Sequence, residues 1–139
     1  ADRAQKLGEY LRFNAQMDKR LSELAILTVA RHWTAQYEWF AHKKFALDAG
    51  LAEDIIDSIQ DHERPNFVKD DEAAIYDFSI ELQNAHKVSD DKYQGVVQHV
   101  GSAGAVDLVG LLGYYTLVSM TLNVYKVKLP NGVPDPLRP

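Results

Sequence analysis

Apolar residues recur along this chain with a helical period. No stretch alternates convincingly with period two, and glycines and prolines fall between the periodic segments, so the pattern predicts helices throughout. A first helix is expected over about Asp2 to Gln16, with Leu7, Tyr10 and Leu11 on one face, joined by Ala4 or Ala15. Asp18 is placed to cap a second, "LSELAILTVARHW", whose apolar residues run nearly all round. "TAQ" at 34–36 is a short break, with Thr34 as candidate N-cap of a third helix over about Gln36 to Ala49. Gly50 follows at the usual C′ position. A fourth helix, "AEDIIDSIQDH", carries acids in its first turn, where the helix dipole favours them, and stops near Arg64 before Pro65. "RPNFVKD" reads as loop. A fifth helix is expected over about Asp71 to His86, with Ile75, Phe78, Leu82 and Ala85 at helical spacing. Ser89 caps a sixth, with Tyr93, Val96, Val97 and Val100 as its stripe, before "GSAG" at 101–104 interrupts. A seventh, long and apolar, completes the set, and the tail "LPNGVPDPLRP" is too rich in proline to be helical.

These elements imply an all-α, compact bundle of about six or seven helices. The 139 residues suit one domain, 1–139, with an N-terminal helix over 1–17 and a proline-rich tail over 128–139. The seventh segment, "LVGLLGYYTLVSMTLNVY" from Leu108 to Tyr125, is uncharged and near the lower length limit of a membrane span. It also holds two Gly, two Thr, a Ser and an Asn, and no second span accompanies it. It therefore reads as a helix buried on all sides, which in a small domain points to a subunit interface. A net charge of −5 with no basic patch argues against nucleic acid and anionic membranes as partners. The absence of cysteine removes disulfides and thiolate chemistry. With no signal-peptide pattern at the start, it fits the expected cytoplasmic location.

The chemistry concentrates in "YEWFAHKKFALDAG", residues 37–50. On an exposed helix, Glu38 and His42 at i, i+4 would be an ordinary pair worth tenths of a kcal/mol. At 100° per residue, however, they fall inside the sector filled by Trp39, Phe45, Ala46 and Ala49, with Lys44 and Asp48 opposite. Facing a core, such groups need to share a proton, meet a third polar group or line a cavity. Glu23, whose helical neighbours are Ile26, Leu27 and Ala30, is the natural third group. His32 is able to approach as well, but reads first as a helix C-terminal histidine stabilised by the dipole. His62, His86 and His99 read as helix-face histidines.

"LSELAILTVARHWTAQYEWFAHKKFALDAGL" resembles the carboxymuconolactone decarboxylase-like superfamily, which includes the alkylhydroperoxidase D-type proteins. "VSDDKYQGVVQHVGSAGAVDLVGLLGYYTLVSMTLN" is similar to the family's C-terminal half, so the resemblance runs from about Asp18 to Leu129. It implies an alkylhydroperoxidase D-like fold and a homo-oligomer, a trimer or hexamer. In the peroxidase branch, a glutamate and a histidine relay protons to a Cys-x-x-Cys pair. The resemblance puts Glu23 and His42 at the relay positions, and Ala35 and Glu38 where the cysteines would be. The thiol half of that machine is missing. The decarboxylase branch also lacks the cysteines and keeps a histidine in a context like "HKKFALDAG".

The expected function is a cofactor-free acid–base enzyme, a decarboxylase, lyase or isomerase on a small unsaturated carboxylated or lactone substrate. Its catalytic residues are Glu23, Glu38 and His42. His42 would be the general acid/base, Glu38 would orient it and Glu23 would complete the relay. No cofactor and no metal are expected. Two other classes stay open: a metal-binding protein using Glu38, His42 and either Glu23 or His32, and a non-catalytic oligomer whose polar cluster specifies packing.

Overall fold

The computed structural model describes residues 1–13 and 17–139, so the ends expected at Ala15 and Gln16 lie outside the described residues. Six helices and no strand occur among the described residues: α1 (Asp2–Phe13), α2 (Lys19–His32), α3 (Gln36–Asp48), α4 (Glu53–Gln60), α5 (Asp70–Ala85) and α6 (Asp90–Val124). α2 is the central element and packs against α3, α4, α5 and α6. That position explains its apolar circumference: from Leu24 to Ala30 every residue is buried.

Local chemistry sets most boundaries as expected. The Asp18 carboxylate accepts from the Arg20 amide at 2.8 Å and starts α2. Ser89 caps α6 through the Lys92 amide. Gly50, at φ 93°, ends α3, where the Leu51 amide reaches back to the Ala46 carbonyl at 3.0 Å. Thr34 is a correction. It is not an N-cap but sits at φ 48° in the left-handed region, and Ala35 begins α3 without a side-chain cap. The Ala35 amide instead donates to the Ala30 carbonyl at 2.8 Å, closing a tight turn that folds α3 back along α2. The interruption expected at 101–104 is a single break at Gly101, φ 75°, inside one helical run.

Within the chain, α6 is buried on one face. By length and composition it is apolar enough to cross a membrane, yet 39% of its most apolar window is buried within the chain. It packs against α1, α2, α3 and α5 through Leu108, Leu111, Leu112, Tyr115 and Ser119. Val106, Val109, Leu117, Met120 and Val124 form an outward stripe at helical spacing. A chain this small has too few helices to surround α6. In α1, Leu11 is buried while Leu7 and Tyr10 are largely exposed, so the expected face is narrower. Trp39 is fully buried in the core. The tail is strapped to the body: the Gln36 side chain exchanges hydrogen bonds with both Leu137 backbone groups, and Arg31 donates to the Arg138 carbonyl at 2.6 Å.

Candidate active site

The turn at 33–35 brings α3 back along α2, which lets residues distant in sequence meet. α3 buries Glu38, Trp39, His42 and Ala46. Glu38 and His42 therefore face inward one turn apart, as their helical phase predicts. Phe45 does not share that burial; it is 41% exposed at the edge of the sector.

The partner of His42 is Glu23, with 2.6 Å between Nδ1 and Oε2. A carboxylate at this distance accepts the Nδ1 proton and fixes the ring, leaving Nε2 for chemistry. The ring is also walled edge-on by Tyr115 at 5.1 Å and Phe45 at 5.5 Å between centroids. Glu38 does not orient His42, contrary to the expected division of roles. Its Oε2 accepts a hydrogen bond from the Ser119 hydroxyl of α6. Its Oε1 is buried and, among the described residues, has no hydrogen-bond partner.

That environment decides the protonation of Glu38. Burial, opposed by the Ser119 hydrogen bond and reinforced by the negative charge of Glu23, pushes its pKa up from the usual 4.5 to about 7. The carboxyl is thus divided between neutral and ionised forms near neutral pH. Burial likewise pushes the Tyr115 phenol up, so it stays protonated.

These groups open on a cavity of about 250 Å³, lined by Glu38, His42, Tyr37, Tyr115, Val118 and Arg12 among others. Glu23 faces a neighbouring hollow of about 290 Å³, where Arg12 also appears. The His42–Glu23 hydrogen bond thus runs from one hollow to the other. Sequence reasoning missed Ser119, Tyr115 and Arg12. Tyr115 and Ser119 are one turn apart on the buried face of α6, and that polar pair inside an apolar helix was the available signal.

The other histidines lie elsewhere. His32 is exposed and, with Arg31 and His62, lines a different hollow. It does not join Glu23. It is the last residue of α2, the helix C-terminal position expected for it. His62 and His86 are not on helix faces: they sit just past α4 and α5 at φ 60° and 61°. Among the described residues, no group of three or more His, Asp or Glu side chains is arranged to hold a metal ion. This covers the sets of Glu38 and His42 with Glu23 or His32. No family model matches this chain, and no curated protein or solved structure is significantly similar to it.

Proposed function

We propose that this protein is a cofactor-free acid–base enzyme of the carboxymuconolactone decarboxylase-like superfamily. It acts as a decarboxylase, lyase or isomerase on a small unsaturated carboxylated or lactone substrate. One observation carries the reading. An imidazole held by one carboxylate and a second carboxyl titrating near pH 7 open on the same cavity. Its volume, about 250 Å³, suits a small metabolite rather than a drug-sized ligand.

In decarboxylation, the bond between substrate carbon and carboxylate breaks and carbon dioxide leaves. The electron pair moves into the conjugated carbonyl. His42, as the imidazolium held at Nδ1 by Glu23, donates a hydrogen bond from Nε2 to the developing enolate oxygen and keeps its proton. The neutral Glu38 carboxyl then protonates carbon, and solvent restores its proton. One proton is consumed, one carbon dioxide is released and no electrons are exchanged. In an isomerisation, His42 takes a proton from one carbon and Glu38 returns one to another.

Incubation with a panel of unsaturated lactones and small unsaturated acids, followed by loss of conjugated absorbance, tests the reading. Turnover that survives His42→Asn would refute it. Dithiol-dependent reduction of hydroperoxides should be absent, since Ala35 and Glu38 occupy the positions where sulfenate chemistry needs cysteine. The same reading includes a homo-oligomer, trimer or hexamer, supported by the exposed α6 stripe from Val106 to Val124. Light scattering that gives a stable monomer at micromolar concentration would remove that part alone.

A further inference from the structure

Arg12 differs from the arginines that hold the fold together. Arg20 pairs with Asp71 and Glu72, and Arg64 pairs with Asp77. Arg12 is exposed in the last turn of α1, and among the described residues it makes no ion pair. Its guanidinium lies against two aromatic rings, 5.0 Å from the Phe13 centroid and 5.7 Å from that of Phe45. Such stacking orients the planar group while leaving its donors free. It lines the cavity of Glu38 and His42 as well as the hollow of Glu23.

The helix that carries Arg12 is seated closely. Leu11 is buried, and a methyl group built at Gly8 would collide with the Tyr114 ring. Tyr114 is itself a wall of the cavity. The close approach at Gly8 therefore sets where the end of α1 stands relative to Glu38 and His42.

We propose that Arg12 positions the substrate by holding a carboxylate that the reaction retains. This rests on the acid–base reading of the same cavity. The retained group follows from electrostatics. A guanidinium against the departing carboxylate would stabilise its charge and oppose loss of neutral carbon dioxide. The departing group belongs instead beside Val118 and Leu122, where the walls are apolar. Arg12, offering two parallel N–H donors, takes a carboxylate that remains in the product. In an isomerisation the same contact holds the only carboxylate.

The test uses the full chain and two probes of one shape, benzoate and neutral benzamide, titrated by NMR at constant ionic strength. Benzoate should bind roughly 10-fold or more tightly than benzamide, with shifts at His42 and Tyr115. Arg12→Gln should weaken benzoate roughly 10- to 100-fold, leave benzamide unchanged and leave the melting temperature unchanged. Arg12→Lys should restore part of the preference. With a turned-over substrate, Arg12→Gln should raise KM far more than it lowers kcat. Failure of benzoate to bind, equal binding of the two probes, or undiminished benzoate binding in Arg12→Gln overturns the proposal. His42→Asn separates the two claims, because it should abolish turnover and keep the benzoate preference. An Arg12-dependent preference without turnover of any substrate leaves this site standing and removes the acid–base reading. Turnover with KM unchanged in Arg12→Gln does the reverse.

Discussion

Glu72 and Glu38 are buried to the same degree, 3% and 2% exposed, yet the chain treats them differently. Glu72 receives Arg20 at 2.6 Å, and Arg20 also holds Asp71 at 2.7 Å. Among the described residues, Glu38 receives only a serine hydroxyl and keeps one oxygen without a partner. Each arrangement answers the cost of burying a carboxyl. The first keeps negative charge and neutralises it with a cation. The second removes the charge by raising the proton affinity. The consequences for pH are opposite. The Asp71 pKa is lowered, chiefly by its hydrogen bond to Arg20, so its stabilisation is present above its usual pKa and fades as pH falls. The Glu38 pKa is raised, so folding carries its burden as pH rises and is relieved in acid. One region behaves as structure. The other holds an unfavourable group at a cavity, as functional sites do.

The largest expected effect lies in the second region. His42→Asn should lower turnover by at least the ~10²–10⁴-fold typical of an acid–base group, with the fold retained. Steady-state rates and circular dichroism on the same preparation check this. A variant with unchanged turnover would make the Glu23–His42 pair structural, like Arg20–Glu72.

Arg20→Met should do the converse. It strands the nearly inaccessible Glu72 carboxylate, which Arg20 holds by a hydrogen bond, at a cost of about 3–5 kcal/mol in urea unfolding. Turnover per folded molecule should not change. Destabilisation below about 1 kcal/mol would mean that the pair is screened like a surface bridge and that the comparison fails on its structural side.

Much of this contrast was legible in the sequence, for identifiable reasons. The inward phase of Glu38 and His42 follows from a local period, and the Asp18 cap and Gly50 terminus follow from local hydrogen-bonding chemistry. The partners were not legible. Ser119 lies 81 residues from Glu38, and nothing local to either helix states that α6 crosses α3 there. The three-residue break suggested that Glu23 meets α3. It did not say which of Glu38 and His42 Glu23 would reach, because that depends on rotation of one helix against another. Thr34 failed as a cap because chain reversal in so few residues forces a left-handed conformation that a capping residue does not have. The two faces of α6 were not legible either, because an apolar helix states what it avoids and not which neighbours cover each face.

Glu38→Gln sharpens the comparison through pH. Glutamine imitates the neutral acid and cannot ionise. Below about pH 4.5 the variant and the parent should be equally stable, since the carboxyl is then protonated in both folded and unfolded chains. Between 4.5 and about 7 the parent should lose stability relative to the variant. At about 1.4 kcal/mol per pH unit, this bounds the gain at about 3 kcal/mol above neutrality. Turnover should fall even as stability rises. Urea unfolding of both proteins at pH 4.5, 6 and 8 reads the sign directly, and a variant less stable at pH 8 would place Glu38 with Glu72 as a structural charge.

The smallest effect belongs to Ser119, and it resolves how the Glu38 site is poised. The hydroxyl donates to both forms of the carboxyl but favours the ionised one, which is why it draws the Glu38 pKa down against the pull of burial. Ser119→Ala should cost about 1 kcal/mol in acid, where the acceptor is neutral, and about 2 kcal/mol above neutrality, where it is charged. The stability curves of variant and parent should therefore separate further as pH rises through about 7, while the Glu38 proton is held to higher pH. In the Glu38→Gln background the same substitution should cost about 1 kcal/mol at every pH, because no charge develops there. The pH-dependent coupling between the two positions is the quantity that decides. If it is absent, the hydroxyl is a packing group. If it is present, α6 sets the proton affinity of the acid and acts through its inner face on the chemistry of α3.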